Sequence, residues 1–354
     1  MAQPISGDAG NPTDKLELMS LSPGKLKHMK ALSNDKGIIA AAAMDQRGSL
    51  KKSIASAKGI PADQVTQEQM EEFKVVVSRV LTPHASAILL DPEFGLPAAK
   101  ARAKNAGLLL AYEETGYDHS KPGRLPDLLP LVSVKRLKED MGADAVKILL
   151  YYAPNDTEYI NSLKGAFIER VGAECQAYDI PFFCEFIVYD AKGMDEKSLE
   201  FAKQKPGWVT AAMKEFSHDK YKIDVLKVEV PINPIYVEGS VVFKGQAAYT
   251  RKEALDHFRR AADVATKPFI YLSAGVANNV FIENLAMAAE SGTDYSGVLC
   301  GRATWQDGIK IYGQNGVQAL EDWLNTEGLK NLNAVNQAIQ TAKPWYKKAG
   351  VAVA

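Results

Sequence analysis

The sequence predicts an α/β protein, a single (β/α)8 TIM barrel with an extra N-terminal helix. Two observations lead to this prediction. Eight short apolar runs each have the length of a buried parallel strand. Segments with helical character lie between them. Alternating strands and helices favour a parallel sheet with right-handed crossovers, and eight such units favour closure into a barrel. A doubly wound open sheet is the alternative.

The order of the elements follows from these runs. The predicted strands are 38–45, 86–91, 108–112, 145–152, 181–189, 224–230, 268–275 and 297–302. The predicted helices between them include 66–80, 156–179, 197–216, 251–266 and 278–291. Thr66 is followed three residues later by Gln69, which is typical of a capping box. A further helix over 22–32 precedes the first strand, and the last helices fall at 316–324 and after residue 331.

The length and net charge of the chain limit its domain organisation and its binding partners. The chain has 354 residues, which a single barrel can accommodate. We expect residues 1–22 to form a flexible arm and residues 23–354 to form the catalytic barrel. A formal net charge of −1 gives no reason to expect nucleic acid or an anionic membrane as partner. A homo-oligomer is compatible with the sequence, which does not fix the oligomeric state.

The cellular compartment is predicted from three features. The first residues lack the basic start and apolar stretch of a signal peptide. No apolar stretch approaches the ~20 residues that span a bilayer. The three cysteines show no CxxC spacing, and their odd number gives no complete disulfide framework. These features favour a cytoplasmic protein.

Charged residues inside apolar strands are the main functional signal, because an unpaired buried charge costs several kcal/mol. Lys227 and Glu229 are two apart in the sixth strand and share a face with Val225. Lys147 lies in the fourth strand and Glu185 in the fifth. The alternative is that Lys147–Glu185 and Lys227–Glu229 are structural ion pairs.

Asp45 ends the first strand, so four charged side chains are expected at one end of the barrel. Two lysines and two carboxylates in one low-dielectric pocket form an arrangement suited to catalysis. The positive charge of Lys147 disfavours protonation of Lys227, which leaves a neutral amine able to attack a carbonyl. A neighbouring carboxylate can then move protons.

The ends of strands seven and eight predict a phosphate site. The seventh strand ends in Ser273-Ala274-Gly275, and the eighth leads into Gly301-Arg302. Small residues allow backbone N–H groups to approach a ligand, and an arginine can chelate phosphate oxygens. Barrel enzymes often bind phosphate after these two strands. Ordinary glycine turns beside a surface arginine are the alternative.

Other site types find little support. The five histidines do not lie at expected strand ends and form no HxH or HExxH motif, so we expect no metal. No P-loop, GxGxxG or GxSxG motif occurs in a suitable context, so we expect no cofactor. Asp91 and Glu93 follow the second strand and either reach the rim of the pocket or cap a turn.

The sequence closely resembles the tagatose 1,6-bisphosphate aldolases of the lactose/galactose tagatose pathway. The resemblance spans roughly residues 25 to 348 and is carried by MDQRGSL, ILLDPEFGLPA, GLLLAYEETGYD, GADAVKILLYY, DIPFFCE, IDVLKVEVP, IYLSAGV and GVLCGRATW. It implies a (β/α)8 barrel and a metal-independent class I aldolase. The implied reaction is reversible cleavage of D-tagatose 1,6-bisphosphate to dihydroxyacetone phosphate and D-glyceraldehyde 3-phosphate.

The resemblance also implies residue roles. Lys227 matches the Schiff-base lysine, Lys147 the second active-site lysine, Glu185 the general acid/base, and Asp45 a carboxylate that hydrogen-bonds the substrate. The region that holds the phosphate on C1 matches Ser273, Gly275, Gly301 and Arg302. Gln46 and Arg47 match positions for the distal part of the sugar or its second phosphate.

Two alternatives share these residues. The loops at 58–69 and 153–162 depart from the family pattern in detail. The substrate could therefore be fructose 1,6-bisphosphate or a sulfonated ketose phosphate, cleaved by the same mechanism. A metabolite-sensing regulatory protein that keeps the aldolase barrel is an alternative of a different class.

Overall fold

Eight parallel strands pair in chain order, and β8 pairs with β1 to close a barrel in the computed structural model, which describes residues 21–350. The predicted fold class is confirmed, whereas residues 1–20 of the expected arm lie outside the described residues. The strands are β1 (Ile39–Met44), β2 (Ala87–Leu90), β3 (Gly107–Ala111), β4 (Ala145–Tyr152), β5 (Phe182–Val188), β6 (Val225–Val228), β7 (Phe269–Leu272) and β8 (Gly297–Cys300).

Helices surround the barrel, and a helix precedes β1 as predicted. They are α1 (Pro23–Ala31), α2 (Gly48–Lys58), α3 (Gln67–Leu81), α4 (Leu96–Ala101), α5 (Glu158–Ala177), α6 (Leu199–Phe216), α7 (Arg251–Asp263), α8 (Asn278–Glu290), α9 (Arg302–Trp305), α10 (Gly308–Trp323), α11 (Leu329–Ala338) and α12 (Trp345–Lys348). The predicted capping box forms at the start of α3, where Thr66 accepts from the Gln69 amide and the Gln69 side chain accepts in return.

One crossover departs from regular alternation. Between β3 and β4 the chain forms a long connection that contains only a single π-helical turn, Arg136–Asp140. Pro122, Pro126 and Pro130 occur at four-residue intervals in this connection. Each proline lacks an N–H donor and clashes with the preceding turn of a helix, so a regular helix cannot form there.

The strands alternate between two apolar environments. On β6, Leu226 and Val228 belong to the cluster that packs against the helices, whereas Val225 belongs to the cluster inside the barrel. Side chains alternate in direction along a strand, so Lys227 follows Val225 inward. The same alternation turns Lys147 and Glu185 inward after Ala145 and Phe183.

The N-terminal end of the barrel is closed by apolar side chains from both ends of the chain. Met29 of α1, Leu32 directly after α1, and Trp345 of α12 belong to the inner cluster and are fully buried. The Trp345 indole donates to the Ser33 hydroxyl at 3.1 Å. The interior of the barrel at this end is therefore a packed apolar core.

Lys74 of α3 fixes the end of β1. Its ammonium donates to the carbonyl oxygens of Met44 at 2.7 Å and Gln46 at 2.9 Å, and it is paired with Asp91. Lys74 and Asp91 are both fully buried. Burial lowers the pKa of Lys74, and the Asp91 carboxylate opposes this effect. The pair thus holds the β1–α2 connection in place from outside the barrel.

We expect Lys74→Met to lower the free energy of unfolding by about 3–5 kcal/mol, because it leaves the Asp91 carboxylate buried without a cation. Urea unfolding at neutral pH measures the change, and Lys52→Met, at an exposed position of α2, is the control. A loss below about 1 kcal/mol would contradict the structural role.

Candidate active site

A cavity of about 760 Å³ opens at the C-terminal ends of the strands. The cavity is lined by all ten residues that the sequence predicted as site residues. They are Asp45, Gln46, Arg47, Lys147, Glu185, Lys227, Ser273, Gly275, Gly301 and Arg302. The alternation of side chains within the strands explains this convergence, because each charged residue continues an inward-facing apolar series.

The Lys147 ammonium lies at the centre of a ring of three carboxylates. Its Nζ is 2.7 Å from Asp45 Oδ2, 2.7 Å from Glu113 Oε1 and 2.9 Å from Glu185 Oε2. Asp45 directly follows β1, Glu113 lies two residues after the end of β3, and Glu185 lies within β5. Lys147 is only 1% exposed, so water contributes little to neutralising the charges. The ammonium therefore joins neighbouring parts of the barrel electrostatically.

Lys227 contacts this ring through Glu185. The Lys227 ammonium is 2.8 Å from Glu185 Oε2, the same oxygen that faces Lys147. Glu229 does not pair with Lys227. It pairs with Lys205 of α6 at 2.8 Å and accepts the Val188 amide at 2.8 Å. Of the two structural ion pairs considered from the sequence, only Lys147–Glu185 forms.

The surroundings of the ring residues shift their pKa values in different directions. For Lys147, burial opposes the charge, but Asp45, Glu113 and Glu185 outweigh it and raise the pKa well above its ordinary value. For Asp45, burial raises the pKa, but the positive charges of Lys147 and Lys227 outweigh burial and hold the pKa below its ordinary value. For Glu113, burial prevails over the attraction of Lys147 and raises the pKa. The carboxylates around Lys147 thus favour its charged form.

The other side of the cavity is built from backbone. Ala274 and Gly275 both have positive φ, 49° and 75°, so the chain turns sharply after β7. A Cβ on Gly275 would lie 2.6 Å from the Arg302 guanidinium carbon. Glycine at this position therefore lets Arg302 lie against the turn. Helix α8 begins shortly afterwards without a side-chain cap at Ala277, which leaves amide donors of its first turn available.

Gln46 and Arg47 line the cavity in different ways. The Oε1 atom of Gln46 is buried and has no hydrogen-bond partner within the protein. Arg47 is more strongly engaged: Nη1 is 2.9 Å from Glu93 Oε2, and Nη2 donates to the Glu113 carbonyl oxygen at 2.8 Å. Arg47 thus braces the connections after β2 and β3, and its contact with a substrate remains a prediction.

The two acids after β2 have structural contacts. Asp91 is fully buried, pairs with Lys74 and accepts the Phe94 amide at 2.8 Å, so it caps the turn. Glu93 is half exposed and pairs with Arg47. Neither residue lines the cavity, which corresponds to the turn-capping interpretation of Asp91.

Sequence reasoning missed five charged residues that line the cavity, namely Glu113, Glu114, Glu196, Lys197 and Lys205. Glu113 follows Leu109 and Ala111 at intervals of two, as Asp45 follows Ala41 and Ala43. Applying the same alternation beyond the end of β3 would have found it. Lys205 gave no such signal, since a lysine within a helix is usually a solvated surface residue.

A second hollow, of about 820 Å³, lies at the opposite end of the barrel. It is bordered by Leu21 and Gly350, the first and last described residues. Three of its lysines are paired with acids, Lys25 with Asp224, Lys267 with Asp219 and Lys348 with Asp294. It contains none of the residues of the lysine–carboxylate ring, so we place the chemistry in the cavity at the C-terminal strand ends. Within residues 21–350, no group of three or more His, Cys, Asp or Glu side chains is placed to hold a metal ion.

Comparison with known families agrees with this geometry. The model of the DeoC/LacD family aldolases matches residues 39–307. The chain belongs to this family of aldolases. It is 52% identical over 334 residues to the tagatose 1,6-diphosphate aldolase of Listeria innocua, covering 94% of this chain and 97% of that protein. It is also 52% identical over 335 residues to tagatose 1,6-diphosphate aldolase 2 of Enterococcus faecalis, covering 94% and 99%.

Solved structures of lower identity share the fold of this family member. A Schiff-base-forming fructose 1,6-bisphosphate aldolase is 13% identical, with a TM-score of 0.52 over 85% of this chain and 98% of that chain. An archaeal fructose 1,6-bisphosphate aldolase is 13% identical, with a TM-score of 0.53 over the same shares. The family member described here is thus an aldolase, a lyase, on a (β/α)8 barrel. Within residues 21–350, no helix combines the length and apolar character needed to cross a membrane.

We expect Lys147→Met to destabilise the fold most strongly near neutral pH. In the wild type, the lowered pKa of Asp45 contributes stability that is present above its unfolded value of about 3.9 and is lost as pH falls. Without the ammonium that contribution disappears and the pKa of Asp45 rises, so the folded variant binds more protons. The deficit in unfolding free energy is therefore about 3–5 kcal/mol near pH 7 and smaller near pH 5.

Urea unfolding at the two pH values measures this difference, with Lys203→Met on the exposed face of α6 as control. An equal deficit at both pH values would show that the lost packing of the lysine stem, rather than the carboxylate ring, sets the effect.

Proposed function

We propose that this aldolase reversibly cleaves D-tagatose 1,6-bisphosphate to dihydroxyacetone phosphate and D-glyceraldehyde 3-phosphate through a Schiff base on Lys227, without a metal ion. The observation that carries the proposal is the Lys227–Glu185–Lys147 chain, with distances of 2.8 and 2.9 Å, at the floor of the cavity. The names of the relatives that are 52% identical support the choice of sugar.

In the proposed reaction, the Lys227 amine attacks the C2 ketone, and loss of water gives an iminium ion. The iminium accepts the electrons of the C3–C4 bond as it breaks, while the C4 hydroxyl gives its proton to a carboxylate. Glyceraldehyde 3-phosphate leaves and the enamine is protonated at C3. Water then hydrolyses the iminium, which frees dihydroxyacetone phosphate and restores the amine.

Glu185 is the best-placed general acid/base because its Oε2 contacts both lysines. We assign to Asp45 a hydrogen bond with a substrate hydroxyl, since its lowered pKa keeps it an ionised acceptor. Lys147 keeps its charge and stabilises the alkoxide that develops on C4. The three side chains thereby divide proton transfer, orientation and charge stabilisation between them.

We place the C1 phosphate at Ser273, Gly275, Gly301 and Arg302. Arg302 supplies a guanidinium that binds phosphate oxygens in pairs, and the glycines leave room for the anion next to backbone N–H groups. The distal part of the sugar is assigned to Gln46 and Arg47. The buried, unpartnered Oε1 of Gln46 can accept a hydrogen bond from a substrate hydroxyl.

A reducing cytoplasm is the compartment we propose. Cys175, Cys184 and Cys300 are buried and free. Burial raises the pKa of each thiol, which keeps the cysteines in the unreactive protonated form. They are therefore assigned to packing and not to catalysis.

Incubation with dihydroxyacetone phosphate and borohydride in EDTA should attach a reduced three-carbon adduct to Lys227. Peptide mass spectrometry locates it. Lys227→Met should abolish the adduct, whereas Lys203→Met on the outside of α6 should keep it. An adduct at another lysine, or none in the folded wild type, would overturn the Schiff-base assignment. Initial rates with tagatose, fructose and sulfonated ketose substrates then test the choice of sugar.

Gly275→Ala should weaken binding of the phosphorylated substrate. The added Cβ would displace Arg302, and the loss of a charged hydrogen bond worth about 1.5–3 kcal/mol raises KM by about ten- to hundredfold. Gly59→Ala is the matched control because Gly59 also has a positive φ, 68°, but faces open space. Steady-state kinetics measure both variants. A KM within twofold of the wild type for Gly275→Ala would contradict the phosphate assignment.

A further inference from the structure

Glu113 is the buried carboxyl group to which the proposed mechanism assigns no role. It is 4% exposed, and its Oε1 accepts from Lys147 at 2.7 Å. Its second oxygen, Oε2, is buried and has no hydrogen-bond partner within the protein. An ionised carboxylate with one oxygen buried and unpartnered is expensive, because it has lost the water that would stabilise its charge.

Counting charges shows why one carboxyl of the ring should be neutral. The ring and Lys227 comprise three carboxyl groups and two lysines, while Arg47 is paired with Glu93. When Lys227 is a neutral nucleophile, one ammonium faces three carboxylates. Two uncompensated negative charges would then occupy a pocket that must also bind an anionic sugar phosphate. One retained proton removes half of this excess.

The contacts identify which carboxyl holds that proton. Glu185 lies within 2.9 Å of two lysine ammonium groups. Asp45 has a 12% exposed side chain and contacts Lys147 at 2.7 Å. Glu113 contacts the same ammonium, but its side chain is only 5% exposed and one of its oxygens has no donor. The neutral form is therefore least costly at Glu113.

Four groups face Glu113, from β4, β5 and the connection between β1 and α2. They are Lys147 on β4, Asp45 after β1, Arg47 before α2, and Glu185 on β5 beyond Lys147. Arg47 Nη2 is 3.9 Å from Glu113 Oε1, but its hydrogen bond goes to the Glu113 carbonyl oxygen. The net effect of burial and these neighbours raises the pKa of Glu113, in the direction that the contacts require.

We infer that Glu113 is a positioning residue that the active site keeps as a neutral carboxylic acid, so that Lys227 can be a neutral amine while Lys147 keeps its charge. The inference rests on the proposed Schiff-base function of the same site. Glu113 acts through Lys147, which it holds in place by accepting one of its N–H groups. When the iminium then forms at Lys227, the cluster gains one positive charge just as an electron sink is needed.

Infrared difference spectroscopy tests the protonation state without requiring activity. The spectrum of the wild type minus that of Glu113→Gln should show the carbonyl stretch of a protonated carboxylic acid near neutral pH, and this band should fade as pH rises. Glu229→Gln is the matched spectral control, because Glu229 is also buried in this cavity but is paired with Lys205. Its difference spectrum should show only an ionised carboxylate. A carboxylate band for Glu113 as well would overturn the inference.

The pH dependence of borohydride trapping gives the second test. If Glu113 is neutral, Glu113→Gln preserves its charge and shape, so trapping persists. The acid limb, the range over which the trapping rate falls as pH is lowered, then stays within about 0.3 pH unit of the wild type. If Glu113 is ionised, its loss favours the neutral amine of Lys227 and moves the acid limb down by about one unit or more. Glu113→Ala removes the acceptor for Lys147 and should slow trapping by more than about tenfold.

The two proposals fail in different ways. If the wild type forms no lysine adduct, the proposed function fails, and the infrared band still decides the state of Glu113. If the adduct forms on Lys227 but Glu113→Gln shifts the acid limb, or if Glu113→Ala traps as fast as Glu113→Gln, the role of Glu113 fails and the function stands.

Discussion

The contact on which the site depends is the Lys147 ammonium inside a ring of three carboxylates. The carboxylates come from the residue after β1, the connection after β3 and the middle of β5, so one buried cation on β4 connects these parts of the barrel, and Glu185 extends the connection to Lys227 on β6. Removing the ammonium or a carboxylate would leave the opposite charge buried without compensation, which costs far more than the pair itself stabilises. The ring therefore fixes the relative positions of these four side chains.

A second buried lysine shows how the same interaction can have a purely structural use. Lys74 also contacts a buried aspartate, but it approaches from α3 and donates its remaining N–H groups to backbone carbonyls. All its donors are satisfied away from the cavity, and burial lowers its pKa. Lys147 faces three acids within the cavity and its pKa rises. The two buried lysines thus differ in where their partners lie, inside the barrel for Lys147 and outside the barrel wall for Lys74.

The sequence was sufficient for the strands and for the inward direction of Asp45, Lys147, Glu185 and Lys227, because a period of two in an apolar run has only one interpretation in a barrel. It was insufficient for the pairing. Lys227 and Glu229 share a face, but residues two apart along a strand are separated by about 6.6 Å, whereas neighbouring strands are about 4.8 Å apart. The register places Glu185 beside Lys227, so the cross-strand pair forms and Glu229 pairs with Lys205. Glu113 lies two residues beyond β3, where the alternation has to be extended past the apolar run, and Lys205 lies on a helix, where a period of two does not apply.

The two sides of the cavity differ in charge. On the β7–β8 side, the glycines allow the backbone and the Arg302 guanidinium to line the cavity. On the β1–β5 side, three carboxylates surround the Lys147 ammonium. Under the proposed function, an anionic group would be attracted to the first side and repelled from the second, which would orient a sugar phosphate with its carbonyl carbon over Lys227. The proposed neutral Glu113 would weaken this repulsion, so the protonation of one carboxyl group would connect substrate binding to the nucleophile.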